Sequence, residues 1–113
     1  MHELSVAMGI VRIAEAELRN SGAGKIDKIE LQIGTLAGIE FEALDFVWPM
    51  AVRNTVLEGA ERELEIITAC GKCLECDHEY EMQKLYDPCP LCRSNLRGII
   101  RGRELRVKAL EVT

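Results

Sequence analysis

All five cysteines of the chain fall between positions 70 and 92, and four of them form two C-x-x-C pairs. These are Cys73-Leu-Glu-Cys76 and Cys89-Pro-Leu-Cys92, separated by twelve residues. Two such turns carry four thiolates to the corners of a tetrahedron around a d10 ion with no geometric preference of its own, and that is a Zn(II) site. Short C-x-x-C turns also aim backbone N–H groups at the sulfurs, which offsets part of the thiolate charge. Four sulfurs fill all four positions, so no water is left to activate and the site is structural. Iron in a rubredoxin-type centre uses the same ligands, and the spacing does not separate the two ions. Cys70-Gly-Lys-Cys73 is also C-x-x-C, so the first pair reads as 73/76 or as 70/73. An unused Cys70 is most simply a small buried side chain. His78, two residues past Cys76, reads either as a neighbour of the cluster or as a solvated loop residue.

The other chemistry-bearing segment is Met1-His-Glu. The Met1 α-amine, the His2 backbone nitrogen and the His2 imidazole can chelate one ion, with the Glu3 amide nitrogen adjacent. Amide nitrogens together with imidazole suit square-planar Ni(II) or Cu(II) better than tetrahedral Zn(II). A histidine at position 2 also arises by chance, so position alone does not settle its role. Glu3 by itself is a favourable charge at a helix start.

Composition limits the classes that remain. The net charge is −5, and aromatic residues make up 4% of the chain. A phosphate-tracking groove needs excess Lys and Arg, and a base-stacking surface needs aromatic platforms, so nucleic acid is disfavoured. No apolar run is long enough to span a bilayer. The N-terminus lacks a basic region followed by an apolar one, and odd, paired cysteines point to metal rather than disulfides; the expected address is cytoplasmic. No nucleophile–base pair, phosphate loop or open metal site suggests an enzyme.

The elements that must position these residues follow from periodicity. Ala7, Ile10, Val11, Ala14 and Leu18 predict a helix over 4–20, with Ser5 as N-cap and Asn20–Gly24 as its stop. Ile29, Leu31 and Ile33 alternate with Lys28, Glu30 and Gln32, predicting a half-buried strand that Gly34–Gly38 breaks. A second helix is predicted over 40–54 with Phe41, Leu44, Val47 or Trp48, and Ala51 inward, kinked or broken at Pro49. Strands are predicted at 62–69, with Leu64 and Ile66 on one face, and around Leu105, Val107 and Ala109. The expected fold is α+β: a small three-stranded sheet with both helices on one face. A zinc-ribbon-like module at 70–97 is inserted into an α/β domain formed by 1–69 and 98–113.

Taken together, these residues resemble the hydrogenase nickel-incorporation proteins of the HypA/HybF family, over Met1 to Val112. The carriers are Met1-His-Glu-Leu-Ser5, Leu31-Gln-Ile-Gly-Thr-Leu-Ala-Gly-Ile39 and Glu58-Gly-Ala60. Cys73-x-x-Cys76 with Tyr80, Cys89-Pro-x-Cys92-x-Ser94, Glu104-Leu-x-Val107 and Leu110-Glu-Val112 complete the set. The resemblance implies a metallochaperone that binds Ni(II) through Met1 (amine), His2 and Glu3 and holds Zn(II) on Cys73, Cys76, Cys89 and Cys92. It implies work with a hydrogenase-maturation GTPase, delivery to the [NiFe]-hydrogenase large subunit, and in some members support of urease maturation. Pro49 and Cys70 depart from the family pattern. The competing reading is a zinc-ribbon interaction module in which His2 is incidental.

Overall fold

The computed structural model describes residues 2–113. The first element is helix α1, Glu3–Ser21, which buries Ala7, Ile10, Val11 and Ala14. It begins earlier than Ser5 would place it, because His2 is the N-cap and Ser5 lies within the first turn. It ends at Gly22, whose φ of 73° gives the left-handed C-cap that a side chain would oppose. Strand β1 is Ile26–Gly34 and helix α2 is Phe41–Val52. Glu61–Ile67 forms β2 and Leu105–Val112 forms β6, completing a sheet of order β2-β1-β6.

Ile29, Leu31 and Ile33 of β1 are fully buried. The alternate side of the sheet is a ladder of polar pairs. Lys28 meets Glu63 at 2.8 Å, Gln32 donates to Glu65 at 2.8 Å, and Lys108 reaches Glu65 at 3.4 Å. One face is therefore polar, and the apolar face is the one left for α1 and α2, which also pack against each other.

Of the kink or break expected at Pro49, the break does not occur. The helix continues through it to Val52 and buries Leu44, Trp48 and Val52. Proline removes the donor that would reach the Asp45 carbonyl. The helix is held here by its packed side: Arg62 lies over the Trp48 ring at 5.1 Å and pairs with Asp45. Phe41 and Ala51 are only half-buried, so the inward stripe is Leu44–Trp48–Val52. Ile66, near the end of β2, is 50% exposed.

The cysteine-rich stretch is not a loop. It contains β3, Cys70–Cys73; β4, Glu79–Glu81; and β5, Arg97–Arg101, in a second antiparallel sheet of order β4-β3-β5. Two compact units result. One comprises residues up to Gln32 with Gly38–Glu65 and Arg106–Thr113, and the other Ile33–Ala37 with Ile66–Leu105. The second unit is thus wider than 70–97 and includes a segment from much earlier in the chain. Hydrogen bonds explain why. Thr35 N–H donates to the Ile67 carbonyl at 3.0 Å, Leu36 N–H to Gly102 at 2.7 Å, and Ala69 N–H to the Thr35 hydroxyl at 3.1 Å. Gly34 and Gly102 permit this approach. A Cβ on Gly34 would stand 2.0 Å from the Gly102 oxygen, and one on Gly102, where φ is 118°, 2.5 Å from Ala69 Cα.

Candidate metal centres

The Sγ atoms of Cys73, Cys76, Cys89 and Cys92 all lie within 4.8 Å of one another. Cys73 and Cys92 sulfurs are 3.4 Å apart, and those of Cys76 and Cys89 are 3.7 Å apart. Four sulfurs at tetrahedral Zn–S bond lengths would stand about 3.8 Å from each other, so the cluster fits a zinc ion with little movement.

The two halves of the cluster are built alike. Cys73 N–H donates to the His78 carbonyl at 2.8 Å and Cys89 N–H to the Ser94 carbonyl at 3.0 Å, each five residues on. Asp77 N–H returns to the Cys73 carbonyl at 3.0 Å, and Arg93 N–H to the Cys89 carbonyl at 2.8 Å. Asp77 and Arg93 both take positive φ, at 64° and 62°. In each half the leading cysteine is buried and the trailing one exposed. Each knuckle is therefore a tight turn closed by a left-handed residue, and its N–H groups point inward: Glu75 and Cys76 N–H reach the Cys73 sulfur at 3.4 and 3.5 Å.

Those donors divide the thiols into two kinds. The Cys76 backbone N–H, with that of Glu75, brings the Cys73 thiol down to about 7. Cys89 is also lowered: burial opposes its thiolate, but the Cys92 and Leu91 N–H groups and neighbouring thiols outweigh it. Cys92 is pushed up to about 12: the Ser94 N–H favours its thiolate, but the Cys73 sulfur, burial and the remaining thiols overcome that donor. Cys76 is raised too, where a His78 N–H is outweighed by burial and by the Cys73 and Cys89 sulfurs. Four thiolates this close repel, and a divalent cation resolves the conflict.

The sign of the pH dependence follows. Around neutrality Cys76 and Cys92 carry protons that a metal must displace, so binding releases at least two protons per ion. Below about 7, Cys73 adds a third. Apparent affinity should thus fall at least ~100-fold for each pH unit lowered. Chelator competition at two pH values, corrected for chelator protonation, measures this; an unchanged affinity would contradict it.

Cys70 stands apart. It is buried in β3, with its thiol 3.8 Å from the Gly71 carbonyl, and belongs to no ligand group among the described residues. The geometry thus brings together 73/76 rather than 70/73. His78 contributes backbone to the knuckle, while its ring stacks beside Tyr80 at 6.3 Å between centroids. Sequence reading missed Asp87, which organises the segment between the pairs. Its carboxylate accepts the Gln83 and Lys84 N–H groups at 2.8 and 3.1 Å, and these hold it below the usual carboxylate range. Its carbonyl accepts from Tyr80 at 3.3 Å and Arg97 at 2.9 Å. An aspartate before Pro88 was the available signal.

At the other candidate site, His2 is exposed and extended, with φ −83° and ψ 113°, and its side chain caps nothing. Its carbonyl opens the helix by accepting from Val6 N–H at 3.1 Å. N–H groups at a helix start have no partner within the helix, so the His2 and Glu3 nitrogens owe it no hydrogen bond. Glu3 is committed elsewhere: its carboxylate accepts the Glu40 N–H at 3.1 Å. That bond, together with Glu3's own N–H, holds the carboxyl below its ordinary value, and it ties the start of α1 to the N-cap of α2. The Met1 amine lies outside the described residues.

Comparison with known proteins identifies the family. A family model described as hydrogenase/urease nickel incorporation, metallochaperone, hypA, matches residues 1–112. A hydrogenase maturation factor HypA of Parabacteroides distasonis is 39% identical over 112 residues, spanning 99% of this chain and 97% of that one. One from Francisella philomiragia is 36% identical over 110 residues, covering 97% of each. In fold, the chain is similar to the solution structure of the Ni metallochaperone HypA from Helicobacter pylori. The TM-score is 0.72 with 23% identity over 99% of this chain and 97% of that one. The chain belongs to the HypA family of hydrogenase and urease nickel-incorporation metallochaperones.

Proposed function

We propose that this chain carries Ni(II) on its N-terminus and hands it over during [NiFe]-hydrogenase maturation in the cytoplasm, while Zn(II) on Cys73, Cys76, Cys89 and Cys92 holds the second unit in shape. The observation that carries this reading is the pairing of two unlike donor sets in one family member. One is a closed four-sulfur cage; the other is an exposed His2 beside backbone nitrogens free of the helix. A cargo ion must leave, and a terminal chelate with few anionic ligands releases more readily than a thiolate cage. The Met1 amine, the His2 imidazole and the His2 nitrogen supply ligands, and Glu3 joins through its amide nitrogen while its carboxylate stays on Glu40. Among the described residues no helix is long and apolar enough to cross a membrane. The receiving partners are a maturation GTPase and the hydrogenase large subunit, with urease maturation factors as further recipients.

Restoring hydrogenase activity in cells that lack the chaperone tests the proposal. The intact chain should restore it and His2→Ala should not. Glu3→Gln retains an acceptor for the Glu40 N–H and should stay within about threefold of the parent in nickel affinity. Full activity from His2→Ala would refute the assignment.

A further inference from the structure

Strand β5 is an edge of the second sheet: among the described residues no strand pairs with its outer side. An open edge presents a row of backbone donors and acceptors that another extended chain can complete. The register with β3 breaks between Cys70 and Gly71, where Cys70 faces Arg101 and Gly71 faces Ile99. Ile100 is the extra residue of this bulge and is 45% exposed, while Ile99 packs on the core beneath the cluster. A groove of about 510 Å³ follows the strand, lined by Arg97, Ile99, Ile100, Arg101, Arg103 and Glu104.

Charge selects the occupant. Residues 93–103 carry Arg93, Arg97, Arg101 and Arg103 and no acid, in a chain whose net charge is −5. Arg97 is fixed by its bond to the Asp87 carbonyl. Arg101 and Arg103 are exposed and form no ion pair among the described residues. Glu104, the one acid on the groove, has its carboxylate turned to Gly102 N–H at 2.7 Å. Such an edge repels a second arginine-rich strand and accepts an acidic one.

We propose that the β5 edge binds an extended acidic segment of a partner protein by strand addition. Backbone hydrogen bonds hold the segment, Arg101 and Arg103 pair with its carboxylates, and Ile100 packs against an apolar residue between them. A peptide is favoured over nucleic acid because a strand edge reads backbone amides and the groove has no aromatic platform for bases.

The test uses the full-length, zinc-loaded protein and a short acetylated peptide alternating Glu and Val. Its controls are the same peptide N-methylated on alternate amides, a Lys-for-Glu version, and an oligothymidylate. The acidic peptide should shift the amide resonances of β5. N-methylation, Lys replacement, or the double variant Arg101→Glu, Arg103→Glu should each weaken binding at least about tenfold. Both arginines are exposed, so unchanged metal content and amide spectrum in the remaining strands certify the variant's fold. Equal binding of the methylated peptide, tighter binding of the oligothymidylate, or no binding by the acidic peptide would each overturn the proposal.

Discussion

Cys73→Ser should cost the second unit its metal and its tertiary structure together. Cys73 is fully buried, shares a cluster with Ala69, Tyr80, Met82 and Cys89, and receives two knuckle N–H groups. That core is small, and two of its five members are cysteines of the cluster. A structural zinc contributes on the order of 10–16 kcal/mol to folding in comparable small modules, far more than such a core can supply alone. Hydrogen exchange should therefore show Tyr80 and Met82 amides losing protection, with bound zinc falling from one equivalent to none. Cys70→Ser is the matched control, because its thiol points to a backbone carbonyl and not to the cluster. It should retain one zinc and the protection pattern. Loss of zinc in Cys70→Ser with retention in Cys76→Ser would reverse the ligand assignment.

How much of this was legible beforehand depended on whether a signal was local. The four-cysteine cluster was readable because ligand spacing is a property of a few consecutive residues. The β1 alternation and the α1 stripe were readable for the same reason. The second sheet was not. Its strands are short, with Cys70, Gly71, Lys72 and Cys73 forming one of them, and metal knuckles rather than apolar alternation set their register. Nor did Asp77 or Arg93 signal a left-handed turn, since neither is glycine; their conformation is imposed by carbonyls that the knuckle closes around. Pro49 was legible only as a choice between a kink and a break. That α2 continues through it depends on the packing of Leu44 and Trp48 and on Arg62, which comes from the later strand β2.

His2→Ala, prepared with a native N-terminus, should lose nickel affinity by at least about 100-fold, or ~2.7 kcal/mol, while its zinc content and fold stay unchanged. The imidazole is exposed and makes no capping bond, so its removal breaks nothing else, and α1 still begins on the His2 carbonyl. A tag ahead of Met1 should impair binding comparably if the amine is a ligand. Calorimetric titration of the two proteins separates these effects, and an affinity for nickel equal to the parent's would remove the N-terminus from the mechanism.

The separation of the two metals is the claim on which the rest depends, and nickel-edge X-ray absorption tests it most directly. Zinc-loaded protein with a native N-terminus and one equivalent of Ni(II) should show only nitrogen and oxygen neighbours, including imidazole scattering that vanishes in His2→Ala. Sulfur scattering at nickel, unchanged in His2→Ala, would place the cargo on the cysteines and contradict the account.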